Sequence, residues 1–433
     1  MSKNVLVIGS GGREHAIALR LSQSPSIGKL FCLPGNPGTK KICVNVELSQ
    51  LDYQKILEFC NKEKIDLVVI GPEQPLVEGL SDFLREYQIN VFGPSKSAAQ
   101  IESSKSFAKK IMEKADVPTA KYKEFLKTEF DEAIDYLKSS SYPIVIKADG
   151  LAAGKGVVIC ESFETAKETL ESVFTKNIFG NAGDKIVVEE FLIGEEASVF
   201  AITDGKDFIT LPPAQDHKRI GDNDTGKNTG GMGSYAPTPL INQALLNEIE
   251  NKIISPVLNQ MNRENIPFIG CLYAGLIITS EGPKVIEFNC RFGDPETQVV
   301  LPLLKGDFLE LLYSASVGNL NKDCVQYNGR AAVCVVAASE GYPDSYQKGF
   351  EILGLDNIPS DIIVYHAGTT EINNKIYTNG GRVLGVTSVI EQNDILLAKQ
   401  KAYEAISKIY FEGIYYRTDI SNRISKYLNL HKE

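Results

Sequence analysis

Four short apolar runs, each broken off by glycine or proline, constrain this chain most. Val5-Leu6-Val7-Ile8 stops at Gly9, Lys29-Leu30-Phe31-Cys32-Leu33 at Pro34-Gly35, Leu67-Val68-Val69-Ile70 at Gly71-Pro72, and Asn90-Val91-Phe92 at Gly93-Pro94. They read as strands separated by helical stretches such as Ala16–Leu21. Strand and helix in alternation imply a parallel sheet, and ligands then sit at the carboxyl ends of its strands. An open α/β domain is expected over residues 1–94.

The first strand runs into Gly9-Ser10-Gly11-Gly12-Arg13-Glu14-His15 and then a helix. Loop amides and a helix N-terminus face an anion in such an arrangement, and Gly9, Gly11, Gly12, Arg13 and Glu14 are the candidate residues. The alternative is a tight turn with no ligand. The dinucleotide pattern G-x-G-x-x-G fails, because Glu14 stands where its last glycine belongs. The second strand also ends in Pro34-Gly35-Asn36, with no acidic residue for a ribose. A nicotinamide enzyme is disfavoured. Gly71-Pro72-Glu73 closes a parallel strand at the same sheet end, so Glu73 is expected in the same crevice.

At 433 residues the chain has room for about three domains of ~150 residues. Its net charge of −10 argues against a nucleic-acid surface. Eight cysteines contain no C-x-x-C pair and four histidines are scattered, so zinc and disulfide frameworks lack their spacing. A strand begins at Asn4, leaving no room for a signal peptide, and no apolar run is long enough to span a bilayer. A cytoplasmic, reduced protein is expected, with neither nucleic acid nor membrane as partner.

The middle, residues 95–325, carries most of the chemistry. Ser103–Met112 reads as a helix bearing Lys105. Tyr142–Lys147 is a strand, followed by the loop Asp149-Gly150-Leu151-Ala152-Ala153-Gly154-Lys155-Gly156 and a second strand, Val157–Cys160. This is no P-loop: the glycine spacing is short, Gly156 replaces Ser or Thr, and a strand follows instead of a helix. A glycine hairpin can instead lie over a nucleotide, its amides and Lys155 on the phosphates. A solvated turn would need neither two flanking lysines nor three glycines. On the strand Lys185–Leu192 and just beyond, Glu189, Glu190, Leu192 and Glu196 supply acceptors and an apolar wall of the kind an adenosine needs. Gln215-Asp216-His217-Lys218-Arg219 leads into a Gly/Asn/Asp-rich stretch, 221–233, read as an irregular anion-handling loop with Lys218, Lys227, Asn228 and Gly230. Asn247–Gln260 is helical by pattern.

Lys284-Val285-Ile286-Glu287-Phe288-Asn289-Cys290-Arg291 follows the adjacent strand Cys271–Ile278. Residues two apart share a strand face, which puts Glu287, Asn289 and Arg291 on one side and Ile286, Phe288 and Cys290 on the other. A carboxylate and an amide oxygen are hard ligands suited to Mg²⁺, and an arginine beside them suits a phosphoryl oxygen. Alone, the triplet could equally be an exposed strand face with a Glu–Arg pair.

The last part, 326–433, reads as a mainly antiparallel α+β cap. Its strands are Ala331–Ala338, Asp361–His366, Ile376-Tyr377 and Arg382–Thr387, and a helix spans 390–409. It shows no catalytic chemistry of its own, and His366 reads as a packed or surface histidine.

Together the segments 7–16, 71–73, 147–157, 228–233 and 291–298 (Arg-Phe-Gly-Asp-Pro-Glu-Thr-Gln) resemble the phosphoribosylamine–glycine ligase family of the ATP-grasp superfamily, across the whole chain. The resemblance implies three parts: an open parallel α/β domain, an ATP-grasp domain with a glycine-loop subdomain at about 120–192, and a C-terminal α+β cap over the cleft. It implies Lys105 and Lys147 on ATP phosphates, Glu189, Glu190 and Leu192 at the adenine, Glu196 at the ribose, and Glu287 and Asn289 on Mg²⁺ or Mn²⁺. Arg291, Lys155 and Asp294 are the expected catalytic groups. Gly9, Gly11, Gly12, Arg13, Glu14, Glu73, Asp216, Lys218, Asn228 and Gly230 are expected at the other substrates, glycine and 5-phosphoribosylamine. One departure is that the strand preceding Glu287 is the apolar run Leu272–Ile278, where many superfamily members place another acidic ligand. A monomer is expected. Another ATP-grasp ligase or carboxylase, or a nucleotide-binding protein without chemistry, remains the alternative.

Overall fold

The computed structural model describes residues 2–151 and 156–428. Five strands open the chain: β1 (Lys3–Gly9), β2 (Ile27–Pro34), β3 (Val44–Asn45), β4 (Leu67–Ile70) and β5 (Val91–Phe92). They are parallel in the order β3-β2-β1-β4-β5. The order reverses between β1 and β4, so the loops at Gly9–Gly11 and Gly71–Glu73 flank the point where such sheets take ligands. Both faces are buried, which is why these runs carry no polar alternation: Leu6 and Ile8 pack into one core, Val5 and Val7 into another.

Helix α1 (Gly12–Ser22) follows β1, and α2 (Tyr53–Glu63), α3 (Glu73–Glu78) and α4 (Leu80–Glu86) complete this region. The helix expected over 103–112 is α6 (Lys105–Lys114), and a further helix, α5 (Lys96–Ser103), precedes it. Ser104 breaks them: it is extended, and its hydroxyl accepts from the Phe107 amide at 3.1 Å as the cap of α6.

The glycine-loop subdomain is a four-stranded sheet, β6 (Tyr122–Leu126), β7 (Ile144–Ala148), β8 (Val157–Cys160) and β9 (Lys185–Glu190), in the order β6-β9-β7-β8. β7 and β8 form the expected hairpin, Lys147 opposite Val157. Asp149, at the hairpin's base, accepts from the Ser106 amide at 2.6 Å and ties it to α6. The expected phosphate contact Lys155 lies outside the described residues.

A second sheet, β11-β10-β16-β17, joins β10 (Glu195–Asp204), β11 (Phe208–Thr210), β16 (Ile269–Thr279) and β17 (Gly282–Asn289). Strands β16 and β17 are adjacent and antiparallel, as expected, but their register shifts: Gly275 faces Glu287 while Leu276 faces Val285. The bulge takes Ile286 out of the packing row. Val285, Phe288 and Cys290 enter the core, while Ile286 stays half-buried.

The expected irregular loop at 221–233 is a hairpin in its first half, β13 (Arg219–Gly221) with β14 (Thr225–Asn228), turning through left-handed Asn223 and Asp224. The helical stretch expected at 247–260 spans Gln243–Ile249, a wider turn at Glu250–Ile254, and Ser255–Arg263; Pro256 lacks the amide that would continue the regular ladder.

The C-terminal sheet draws two strands from the middle of the chain. Its order is β12 (Gln215–Asp216), β15 (Gly233–Ala236), Ala331–Ser339, Arg382–Ile390 and Ile362–His366, all antiparallel. The helix expected at 390–409 is shorter, Ile395–Ile406, because the strand continues to Ile390 and Asp394 caps the Leu397 amide at 2.9 Å. Among the described residues no helix is long and apolar enough to cross a membrane.

Candidate active site

Glu14 sits beneath the loops after β1 and β4. Its carboxylate accepts from the Gly11 amide at 2.6 Å and from Arg13 Nε at 2.5 Å, and it is only 2% exposed. A Cβ on Gly9 would lie 2.4 Å from Glu14 Cγ, and one on Gly71 2.2 Å from its Oε1. Gly9 also has φ +125°, which side chains rarely adopt. Glu14 therefore pins the two loops together, its carboxylate oxygens already engaged by the Gly11 amide and Arg13. Arg13 is likewise buried, and its Nη1 donates to the Phe292 carbonyl at 3.3 Å. Gly12 packs against the Gln298 amide. Of the expected anion-binding loop, Ser10 is the exposed residue.

On β17, Glu287 stands among cations. Burial works to raise its carboxyl, but Lys218, Lys105, Lys147 and Arg291 hold it below the usual range. Asn289, its amide oriented by its neighbours, donates from nitrogen to Glu102 Oε1 and the Phe288 carbonyl, both at 3.3 Å, which turns its oxygen away from them. A carboxylate and an amide oxygen fit a small divalent cation that keeps phosphate and water ligands. Among the described residues no cluster of three or more His, Cys, Asp or Glu could hold a metal. On β16, Tyr273 and Gly275 stand opposite Asn289 and Glu287, so that strand contributes no carboxylate there. Arg291 lies just past β17. It pairs with Glu102 at 2.9 Å and with Glu73 at 3.4 Å, joining the first domain to the β17 face. Burial tends to raise Glu73, but Arg291 and Arg13 keep its carboxyl low.

Lys147 and Glu189 do not stand free. Glu189 accepts Lys147 at 2.8 Å and Lys109 at 3.2 Å, all three buried, and Lys147 also reaches the Ile286 carbonyl exposed by the bulge, at 3.1 Å. Burial lowers Lys109 to about 8 despite Glu189. The Glu189 carboxylate is thus engaged by both lysines. Glu190 accepts from the Lys121 amide at 3.0 Å, and half-buried Leu192 lies between β9 and β10 beside exposed Phe191 and Ile193. Lys105 opens α6 and has no carboxylate within ion-pair distance among the described residues.

Lys218 bridges Glu196 at 2.8 Å and Glu287 at 4.0 Å. Burial opposes its charge, but Glu196, Asp216 and Glu287 keep it protonated well above the usual lysine range. Burial lifts the neighbouring Asp216 carboxyl to about 7, against the pull of Lys218 and with Glu296 and Glu196 adding to the rise. Behind it, Glu296 accepts from Ser198 and Tyr273 hydroxyls, both at 2.9 Å.

Asp294 is held from the cap. Arg382, from the cap, donates to the Asp294 carboxylate at 3.0 Å, to its carbonyl at 2.9 Å, and to the Gly230 carbonyl. Gln298 donates to Asp294 at 2.7 Å. Gly230 thus serves as a contact for Arg382; Asn228 pairs with Arg219 in the hairpin, and Lys227 reaches out to Asp344. A cavity of about 720 Å³ opens beside Ser10, between the loops after β1 and β2 and the cap segment 367–371. Next to it His366 is buried, its amide donating to His15 Nδ1 at 2.9 Å; burial and mutual proximity lower His15 to about 3, and burial lowers His366 to about 4. Glu102, Lys109, Glu296 and Arg382 were all missed; only the turn Asn379-Gly380-Gly381 before Arg382 marked one of them as the start of a strand.

Three family models match in succession: the phosphoribosylglycinamide synthetase N domain at residues 3–102, its ATP-grasp (A) domain at 103–297 and its C domain at 332–423. The chain belongs to the phosphoribosylglycinamide synthetase family. The phosphoribosylamine–glycine ligase of Caldanaerobacter subterraneus subsp. tengcongensis is 50% identical over 96% of this chain and 99% of its own. The crystal structure of phosphoribosylamine–glycine ligase from Thermotoga maritima superposes with a TM-score of 0.84 at 35% identity, covering 96% of this chain and all of that one. The biotin carboxylase domain of 2-oxoglutarate carboxylase from Hydrogenobacter thermophilus shares the fold, with a TM-score of 0.72 at 17% identity over 96% of this chain and 92% of that one. A phosphoribosylglycinamide synthetase is thus built here with an ATP-grasp core between a parallel α/β domain and an antiparallel cap.

Proposed function

We propose that the chain is an ATP-dependent ligase joining glycine to 5-phosphoribosylamine in purine biosynthesis, acting as a cytoplasmic monomer on small molecules. A glycine carboxylate oxygen attacks the γ-phosphorus of ATP, ADP leaves, and glycyl phosphate results. The amine nitrogen then attacks the acyl carbon and phosphate leaves, giving glycinamide ribonucleotide. The observation that carries this reading is the β17 face, where Glu287 and Asn289 stand beside Lys218, Lys105 and Arg291. No protein nucleophile is required, because positioning and charge neutralisation lower both barriers.

Glu287 and Asn289 would hold Mg²⁺ or Mn²⁺, which when bound neutralises phosphate charge and polarises the phosphoryl group. Lys105, which has no carboxylate within ion-pair distance among the described residues, takes the phosphates. Lys147 balances Glu189 and adds its charge nearby. Glu196 faces the ribose from beside Lys218, and the main chain of Glu190 and Leu192 borders the adenine. Arg291 orients the acyl phosphate while its bonds to Glu73 and Glu102 fix its plane. Asp216, poised near neutrality, takes the proton released as the amine forms its C–N bond. Phosphoribosylamine enters through the cavity beside Ser10, with Glu73 toward its ribose, while Arg382 holds Asp294. ADP release measured with ATP, glycine and phosphoribosylamine, each omitted in turn, tests the reading. Full release without phosphoribosylamine, or none with all three, would overturn it.

A further inference from the structure

We infer that the C-terminal segment Tyr415–Arg423 is a positioning element for the reaction, with Arg417 and Arg423 setting Lys218 against Glu196 and Glu287. This rests on the reading of the β17 face given above. Arg417 is fully buried, donating twice to Asp419 at 2.7 Å, to Asp224 at 3.0 Å and to the Arg219 carbonyl at 3.0 Å. Arg423 donates to Asp224 at 2.7 Å and to the Asp216 carbonyl at 3.2 Å. The Ser421 amide meets His217 Nε2 at 3.3 Å, the Asn223 amide meets Asp419 at 2.8 Å, and the Thr418 amide meets Asp222 at 2.9 Å.

These bonds grip the chain on both sides of Lys218, at 216–217 and at 219–224, and none reaches Glu196 or Glu287. The ammonium of Lys218 is what extends to those carboxylates, at 2.8 and 4.0 Å. The segment therefore acts through Lys218. A buried ion-pair cluster is a poor source of stability, since apolar replacements of similar volume often do as well, but it fixes geometry. The fixed object here is a two-residue strand, β12, and the hairpin that follows it, neither of which has a core of its own.

The test is steady-state kinetics on the full chain for Arg417→Gln, Arg417→Lys, Lys218→Met and the double variant Arg417→Gln/Lys218→Met. Arg417→Gln should lower kcat by up to about a hundredfold, the cost of misplacing a catalytic group by about 1 Å, with KM for ATP and phosphoribosylamine within about twofold. Arg417→Lys should recover part of the loss. The double variant should be no worse than Lys218→Met alone, because the two residues act in series. Losses that multiply, or an unchanged kcat in Arg417→Gln, overturn the inference. Full activity in Lys218→Met instead overturns the underlying site reading. Should Arg417→Gln not fold, Arg423→Gln, at the rim of the cluster, carries the same cycle.

Discussion

Exchanging Glu287 for Gln keeps the side chain's shape and removes one negative charge from a face crowded with cations. Its nearest cation, Lys218 Nζ, is 4.0 Å away, and the carboxylate is 35% exposed. A unit pair at that distance in a medium of dielectric about 20 is worth ~4 kcal/mol, but solvent screening at such exposure brings exposed pairs to about 1 kcal/mol or less. Glu287→Gln should thus shift the unfolding free energy by no more than about 1 kcal/mol. Its effect on turnover is of another order. Metal stabilisation of a phosphoryl transition state is worth several kcal/mol, and halving the protein ligands should cost about 3 kcal/mol of it. At 1.36 kcal/mol per decade this is about a hundredfold in kcat. ADP release should be measured across a Mg²⁺ titration, beside urea unfolding of the same preparation. Normal activity at limiting Mg²⁺ would refute the ligand assignment, and an activity loss matched by unfolding would refute the division between function and stability.

Gly11→Val should raise KM for phosphoribosylamine and leave KM for ATP nearly unchanged, because the new Cβ would sit 2.8 Å from Glu14 Oε2 and dislodge the residue pinning the two loops; a change confined to ATP would place the adenine nucleotide in the first domain. Glu189→Gln should destabilise the chain by about 3–5 kcal/mol in urea unfolding, since it leaves Lys109 and Lys147 buried without their counter-charge; a neutral result would mean the lysines find another partner. Acid should also weaken the fold. His15 and His217 are held at about 3 and His366 at about 4, each below the free value of 6.5, so the unfolded chain takes up protons the folded one refuses as pH falls from 6.5 toward 4. Asp216, raised to about 7, opposes one of the three in that window. The net of two protons predicts a loss of about 3 kcal/mol per pH unit below 6.5, and equal stability at pH 7 and pH 5 would contradict it.

The strands Val5–Ile8 and Leu67–Ile70 could be read from sequence because their burial on both faces is written in consecutive residues. The glycine hairpin was legible for a similar local reason, since Lys147 and Val157 are joined by a loop of turn formers. Glu287 and Asn289 sit on one side as strand alternation requires. The bulge that removes Ile286 from the core, however, depends on the register with β16, which no local pattern records. The capping role of Glu14 is legible in Gly11-x-x-Glu14, which has the spacing of a helix cap, although the strand and glycine loop draw attention first to the amides. The turn inside 221–233 was marked by Asn223-Asp224, residues that accept a left-handed backbone, but a dense polar stretch looks like a loop until its docking partner is known. Arg382, Glu102 and Arg417 could not have been found, because each acts on residues far along the chain, and a lone arginine or glutamate carries no sign of its partner.

The sheet that begins with β12 and β15 and continues into Ala331–Ser339 makes the three-part organisation less separable than it looks. Lifting away the last hundred residues would strip the neighbour from β15, uncover Tyr235 and Met232, both wholly buried, and free the hairpin that carries the chain on from Lys218. A shortened chain would lose the sheet partner of β15 along with the cap itself. The middle region and the cap are built on one shared sheet, so cutting between them is a change to both.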